Sequence, residues 1–264
     1  MLTSTEQSPG DLTPAPVRRV PVSRPFRWLA LGWRDFKAAG LPSAMHGVAV
    51  ALGGWVIVLF LMNYWYLLPG AFTGFLLVGP ILATGLYEIS RRRLLGERPT
   101  LEHVTGAWRK GIRPLVWLGL LLVLAGTLWV LVSAIVFAIY SKTSLITLES
   151  FLRDIVLNRQ SHLFDVWLLL GGVGAALVFA ATAVSAPLLL DRDVDMLSAI
   201  ITSVRAVGEN PVAMALWAAI IMVVTVASMA TLMLGFLLAI PVVGHGTWHA
   251  YRDLVEAEGL PVRQ

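Results

Sequence analysis

Cysteine is missing altogether and charge is scarce. With no thiol among 264 residues, structural disulfides and thiolate metal sites are excluded, although that absence assigns no compartment. Charged residues make up 14% of the chain against 57% hydrophobic, at a mean hydropathy of +0.77, a balance that excludes an ordinary water-soluble domain. Residues 38–87, 114–141, 166–190 and 210–251 contain no Asp, Glu, Lys or Arg at all. A helix needs about 20 apolar residues to cross a hydrocarbon core about 30 Å thick. Two of these stretches therefore make single crossings, near Pro114 to Tyr140 and Val166 to Leu190. The other two are about twice as long, and a straight helix of about 40 residues would reach roughly 60 Å, so each must fold back.

Asn63, Pro69 and Gly70 place the first reversal, between crossings near residues 42–68 and 72–90; the second falls within 228–235, between 211–230 and 234–251. The expected fold is an all-α polytopic membrane helix bundle with six transmembrane helices. Lys and Arg set its orientation, because cationic loops stay on the cytoplasmic side. They crowd the N-terminal segment (Arg18, Arg19, Arg24, Arg27, Arg34, Lys37) and the second connection (Arg91, Arg92, Arg93, Arg98, Arg109, Lys110, Arg113). Both termini are thus expected in the cytoplasm, with the chain multi-pass. Tyr64, Trp65, Tyr66 and Tyr140 mark the outer interface in this frame, and Trp108, Trp117, Trp248 and Tyr251 the inner one. The expected partners are the lipid bilayer and anionic head groups at the cytoplasmic face, not nucleic acid, since the basic residues flank spans. Residues 1–25, rich in Pro, Ser and Thr, read as a disordered cytoplasmic tail without a cleavable signal; 26–253 form the membrane domain and 254–264 a cytoplasmic C-terminal tail.

Pro80, Pro187 and Pro241 each sit inside a return crossing, and the eighth residue after each is Glu88, Asp195 and His249. An amphipathic helix precedes each outgoing crossing: Leu29, Trp33 and Phe36; Leu101, Val104 and Trp108; Val194, Leu197, Ile201 and Val204. Pro42, Pro114 and Pro211 then follow, each suited to a first helical turn. The pattern predicts three repeats, about 26–92, 99–192 and 193–253, each an amphipathic helix plus a helical hairpin. A further outer helix is expected from Leu145, Leu148, Leu152 and Ile155.

Positions four and eight after each proline share a helical face, and ionisable groups at membrane depth tend to face the interior. That reasoning gathers a polar cluster of Glu88, Asp191, Asp195, His245 and His249, with Arg92 and Arg192 as counter-charges. Two imidazoles at i, i+4 can share a metal with carboxylates, relay protons, or brace an interface, and these readings stay open; His46 is placed to join any of them. Small residues between Gly171 and Ala186, and the Gly70–Gly74 pair, permit close helix packing within the chain or in a homo-oligomer. No residue set matches a catalytic mechanism or a cofactor fingerprint.

The runs Gly79-Pro80 to Arg92, Pro187 to Asp195 and Gly244 to Asp253 resemble the family of predicted bacterial integral membrane proteins filed as domain of unknown function 2189. The resemblance implies an inner-membrane protein and no catalytic residues. The favoured expectation is a non-enzymatic envelope, assembly or lipid-organising protein. The alternatives are a small-solute or ion transporter or channel with a cytoplasm-facing polar vestibule, and a metal- or haem-binding membrane protein.

Overall fold

The computed structural model describes residues 14–64, 67–100, 102, 112–140, 149, 153, 157 and 162–263. Among them the regular structure is all helical, apart from isolated antiparallel bridges joining Val17 to Val255 and Arg192 to Val262. The chain runs α1 (Arg24–Ala39), α2 (Leu41–Leu61), α3 (Leu68–Leu77), α4 (Gly79–Leu82), α5 (Thr84–Leu94), α6 (Arg113–Tyr140), α7 (Leu163–Thr182), α8 (Ser185–Asp191), α9 (Met196–Glu209), α10 (Pro211–Ala230) and α11 (Phe236–Leu254). The expected helices around Leu101–Trp108 and Leu145–Ile155 lie outside the described residues, as do Trp65 and Tyr66.

Four segments are long and apolar enough to cross a membrane: Leu41–Leu61, Arg113–Ala138, Leu163–Asp191 and Pro211–Ala230. The two other expected crossings fall short for visible reasons. Pro80 has no N–H to give the carbonyl of Leu76, and the chain from Leu68 to Leu94 divides into α3, α4 and α5 around it. In α11 the second half carries His245, His249, Arg252 and Asp253, which dilute its apolar character. Pro187 likewise follows a break, between α7 and α8, whereas Pro241 sits inside an uninterrupted helix.

Two boundaries differ from expectation. The first crossing stops at Leu61, and Pro69 opens α3 instead of ending the helix before it. Proline at a first turn removes only an N–H that had no partner there. The reversal after α10 is built from hydroxyls and two left-handed residues: Leu232 (φ 52°) and Met233 (φ 68°) turn the chain, while Thr231 Oγ1 donates to Ser228 O at 2.9 Å and accepts from Gly235 N at 3.0 Å.

Packing follows membrane rules, with apolar side chains outward and small residues at helix contacts. Leu52, Leu59 and Phe60 of α2, and Met222, Val223 and Val226 of α10, stand exposed. Inside, Gly74 and Gly126 bring α3 against α6 so closely that a Cβ on either would lie about 3 Å from the other's carbonyl oxygen, and Gly70 meets Ser133. The Gly70–Gly74 pair is thus used within the chain. Gly171 packs on the Trp129 ring, while Gly172 and Gly174 meet nothing.

The charged end of the bundle is more covered than the sequence suggests. Residues 14–25 belong to the segment expected to be disordered, yet Ala15 N donates to Thr202 Oγ1 at 3.0 Å, Val20 N to Asn210 Oδ1 at 2.8 Å, and Arg18 N to Leu254 O at 2.8 Å. The last residues are pinned too, since Asp193 N donates to Pro261 O at 2.9 Å. Composition suggested a free tail because prolines cannot extend a helix. Here those residues run extended along α9 and α11 and use these helices' polar groups. Under this cover Trp248 and Tyr251, expected at an interface, lie fully in the core; Trp117 remains exposed.

Helix α1 has three distinct faces. Pro25, Trp28, Gly32 and Asp35 are buried; Phe26 and Trp33 stand exposed beside them; Arg27, Arg34 and Lys37 make a cationic stripe. The buried face lies on α11 so tightly that a Cβ at Gly32 would fall 2.2 Å from Val242 O and 2.8 Å from Gly246 N. Gly32→Ala should therefore lower the thermal midpoint in detergent, by about 1–3 kcal/mol of stability. Gly172→Ala, in open space, should leave it unchanged. A circular-dichroism melt of Gly32→Ala that coincides with wild type would refute this close contact.

Candidate functional site

The polar residues resolve into separate networks, each closed on itself. The most buried runs through α1, α2, α5 and α11. Ser43 Oγ stands 2.7 Å from His245 Nε2, His245 Nδ1 2.8 Å from Ser90 Oγ, and Ser90 Oγ donates to Asp35 Oδ2 at 2.6 Å. The same oxygen meets His249 Nε2 at 2.9 Å, and Arg93 Nε donates to Asp35 Oδ1 at 3.1 Å. Because the Ser90 proton goes to the carboxylate, His245 Nδ1 must be the donor to Ser90, and Ser43 then donates to Nε2. A neutral imidazole satisfies every partner, which suits a side chain with 0% exposure.

Asp35 is the hub. Burial pushes its carboxyl up, but hydrogen bonds from His249 and Ser90 and the nearby histidine charge outweigh that, bringing its pKa down to about 2 from an ordinary 3.8.

A second network surrounds Glu88, which accepts from Arg91 Nε at 2.8 Å and Arg92 Nε at 2.6 Å; Arg92 also reaches Glu97 at 2.7 Å. A third centres on Asp191, which accepts from the Tyr251 hydroxyl at 2.7 Å and Arg192 Nε at 3.1 Å, with Arg252 at 3.7 Å. Arg192 continues to Leu260 O at 3.0 Å, tying down the C-terminal segment. Asp253 holds α1 from α11, accepting from Arg24 Nε and Trp28 Nε1, each at 2.7 Å.

The five cluster residues thus go to four places. His245 and His249 share the first network, Glu88 and Asp191 have one each, and Asp195 stands apart as the N-cap of α9, accepting from Ser198 N at 2.9 Å. Burial opposes ionisation of Asp195, and the hydrogen bonds of Ser198 outweigh it, so its carboxyl sits below the usual range. Arg92 and Arg192 pair with Glu88 and Asp191. His46 joins none of these networks; its Nδ1 donates to Pro42 O at 3.0 Å.

Among the described residues no three His, Asp or Glu side chains form a group able to hold a metal ion. Both nitrogens of His245 are taken by serines, so the two histidines do not converge on a shared point. The sequence reading missed Asp35, Ser43, Ser90 and Arg93. A signal existed for Asp35, the single acid among the cations between Arg18 and Lys37, spaced with Trp28 and Gly32 at i, i+4 and i+7.

Two hollows accompany these networks. A central cavity of about 240 Å³ lies at the proline breaks, with walls from α3, α4, α5, α7, α10 and α11; none of the five cluster residues lines it. An apolar groove of about 660 Å³ runs between α1, α10 and α11, from Phe26 and Trp33 to Thr231 and Gly235.

Residues 67–191 match the family described as predicted integral membrane protein, domain of unknown function 2189. The resemblance seen in the sequence therefore holds over that stretch. No curated protein and no solved structure matches the chain.

Breaking the Asp35–His249 pair should be costly, because an uncompensated charge remains buried. His249→Ala and Asp35→Asn should each lower stability in detergent by about 3 kcal/mol, and the double change should cost less than the sum; additive costs would dissolve the pair. The depressed Asp35 pKa makes its contribution pH-dependent with a fixed sign. About 2 kcal/mol is present above the unfolded value of 3.8 and disappears as pH falls through about 2. The midpoint gap between wild type and Asp35→Asn should thus be full at pH 5 and shrink towards pH 2.

Proposed function

We propose that the chain is a non-enzymatic, lipid-organising protein of the bacterial inner membrane, spanning it six times with both termini in the cytoplasm. The four long apolar helices supply four crossings. The α3–α5 segment and α11 supply two more, each short of a full apolar span because its charged end rises into the head-group layer. Three units then follow one plan: α1, α2 and α3–α5; α6 and α7–α8, whose expected leading helix lies outside the described residues; α9, α10 and α11. The charged ends of α5, α8 and α11, with α1, α9 and both chain ends, form the cytoplasmic cap.

The observation that carries the functional reading is the three-faced helix α1. Its buried face is locked to α11, its apolar face borders the long groove, and its cationic stripe flanks the same edge. Lys37 Nζ lies 5.7 Å from the Trp33 ring centre, over its face. An acyl chain in the groove would place an anionic head group beside Arg27, Arg34 and Lys37. Transport of a polar solute has less support, because the carboxylates and histidines are engaged in closed networks and the central cavity is walled mainly by apolar side chains.

Reporter fusions at residues 70, 150 and 233 should report the periplasmic side, and at 97 and 208 the cytoplasm; one reversed site defeats the six-span topology. The purified protein should retain anionic phospholipid, and Arg27→Glu with Arg34→Glu should reduce the retained amount several-fold by native mass spectrometry. In proteoliposomes, glycerol and ion flux should equal that of empty vesicles. Flux above that background would favour the transporter reading over this one.

A further inference from the structure

Two of the central cavity's four hydroxyls have no partner. Thr182 Oγ1 donates to Val178 O at 2.7 Å, and Thr247 Oγ1 to Val243 O at 2.9 Å, as hydroxyls in helices commonly do. The hydroxyls of Tyr87 and Thr225 have no hydrogen-bond partner among the described residues, although Tyr87 is only 2% exposed. Neither is a sealed-off atom of the kind found at Ser198 Oγ and Trp248 Nε1, which are buried without a partner; the Tyr87 and Thr225 hydroxyls instead face the cavity.

The surroundings limit what can satisfy them. Among the described residues no Lys, Arg, Asp or Glu lines the cavity, so a charged ligand would enter without a counter-ion from them, at high cost. A neutral acceptor attached to an apolar body fits. The volume, about 240 Å³, lies below the roughly 300–1,000 Å³ of sites that enclose a whole drug-sized ligand, so part of a chain enters and the remainder stays outside. A route exists, because Ala175 of α7 both lines the cavity and stands exposed.

We propose that the central cavity is a binding site for the neutral acyl ester of a membrane lipid, with the ester carbonyl accepting from Tyr87 and Thr225 and the chain filling the space beside Pro80 and Phe179. The site rests on the proposed membrane embedding but not on the head-group role of α1, and it differs from the α1 groove in lying behind α11, among the proline breaks. A diacylglycerol and a phospholipid present the same ester, so two probes separate the sources.

The test uses the purified full-length protein, delipidated in detergent and titrated with dioleoylglycerol or with dioleoyl phosphatidylglycerol while thermal stability is followed. Wild type should show a saturable rise in midpoint with dioleoylglycerol. Tyr87→Phe, which preserves shape, should bind about tenfold more weakly, the value of one hydrogen bond. Ala83→Leu should abolish the shift by filling the cavity. Arg27→Glu with Arg34→Glu should weaken the response to the phospholipid while leaving that to dioleoylglycerol intact, so failure of the head-group reading is told apart from failure of this one. A dioleoylglycerol response that is absent, unsaturable, or equal in wild type and Tyr87→Phe overturns the proposal. A response to the phospholipid alone overturns the diacylglycerol source.

Discussion

Burial of the Asp35 carboxylate fixes how the charged end of this bundle is assembled. A carboxylate with 8% exposure on an amphipathic helix is tolerable only if cations and donors arrive from neighbouring elements. Ser90 and Arg93 come from α5 and His249 from α11, while Ser43 of α2 enters through His245. None of these can be withdrawn without stranding another polar atom, so the placements of α1, α2, α5 and α11 are coupled. Gly32 makes the arrangement geometrically possible, because any side chain there would hold α1 away from α11 and leave Asp35 short of His249. Trp28 completes the seam by packing edge-on against Trp217 of α10, with ring centres 5.7 Å apart.

A different constraint governs the middle of the bundle. Lipid offers no backbone donors or acceptors, so a proline break must be covered by protein. The break near Pro187 is buried and the one near Pro80 half-buried; both border the same cavity, and close contacts elsewhere in the bundle are made by glycine. Close approach at Gly74–Gly126 and a void near Pro80 have a common origin. Where both backbones are bare they meet, and where a helix is interrupted the side chains cannot fill the gap.

The legible parts of the fold were those set by composition and by single strong residues. Charge-free stretches located the long crossings because hydrocarbon rejects charge wherever a helix passes. Pro211 marked the start of α10 correctly, since proline at a first turn is nearly free of cost. The same property misled at Pro69, where breaker and initiator look alike in sequence. Glu88–Arg92 and Asp191–Arg192 could be read because each pair is local. The Asp35 network could not, because its partners lie 55 and 214 residues away and serine hydroxyls carry no distinctive spacing. Residues 14–20 were misread because their partners are the Thr202 hydroxyl of α9, the Asn210 side-chain amide between α9 and α10, and the Leu254 carbonyl of α11, which composition does not register.

The two kinds of polar group in this chain are arranged in opposite ways. Its carboxylates are engaged: Asp35, Glu88, Asp191 and Asp253 each hold at least two donors. Such groups stabilise one arrangement of helices and are poorly suited to catalysis, which requires a group able to change its proton or its partner. Among the described residues the uncommitted donors are instead neutral groups: Ser198 Oγ and Trp248 Nε1 in the packed interior, and the Tyr87 and Thr225 hydroxyls facing the central cavity. A protein that moved ions would need charged or exchangeable groups lining its path, and among the described residues no Lys, Arg, Asp or Glu lines the central cavity. What remains available in the interior is a weakly polar, laterally open space, a chemistry suited to the ester region of a lipid.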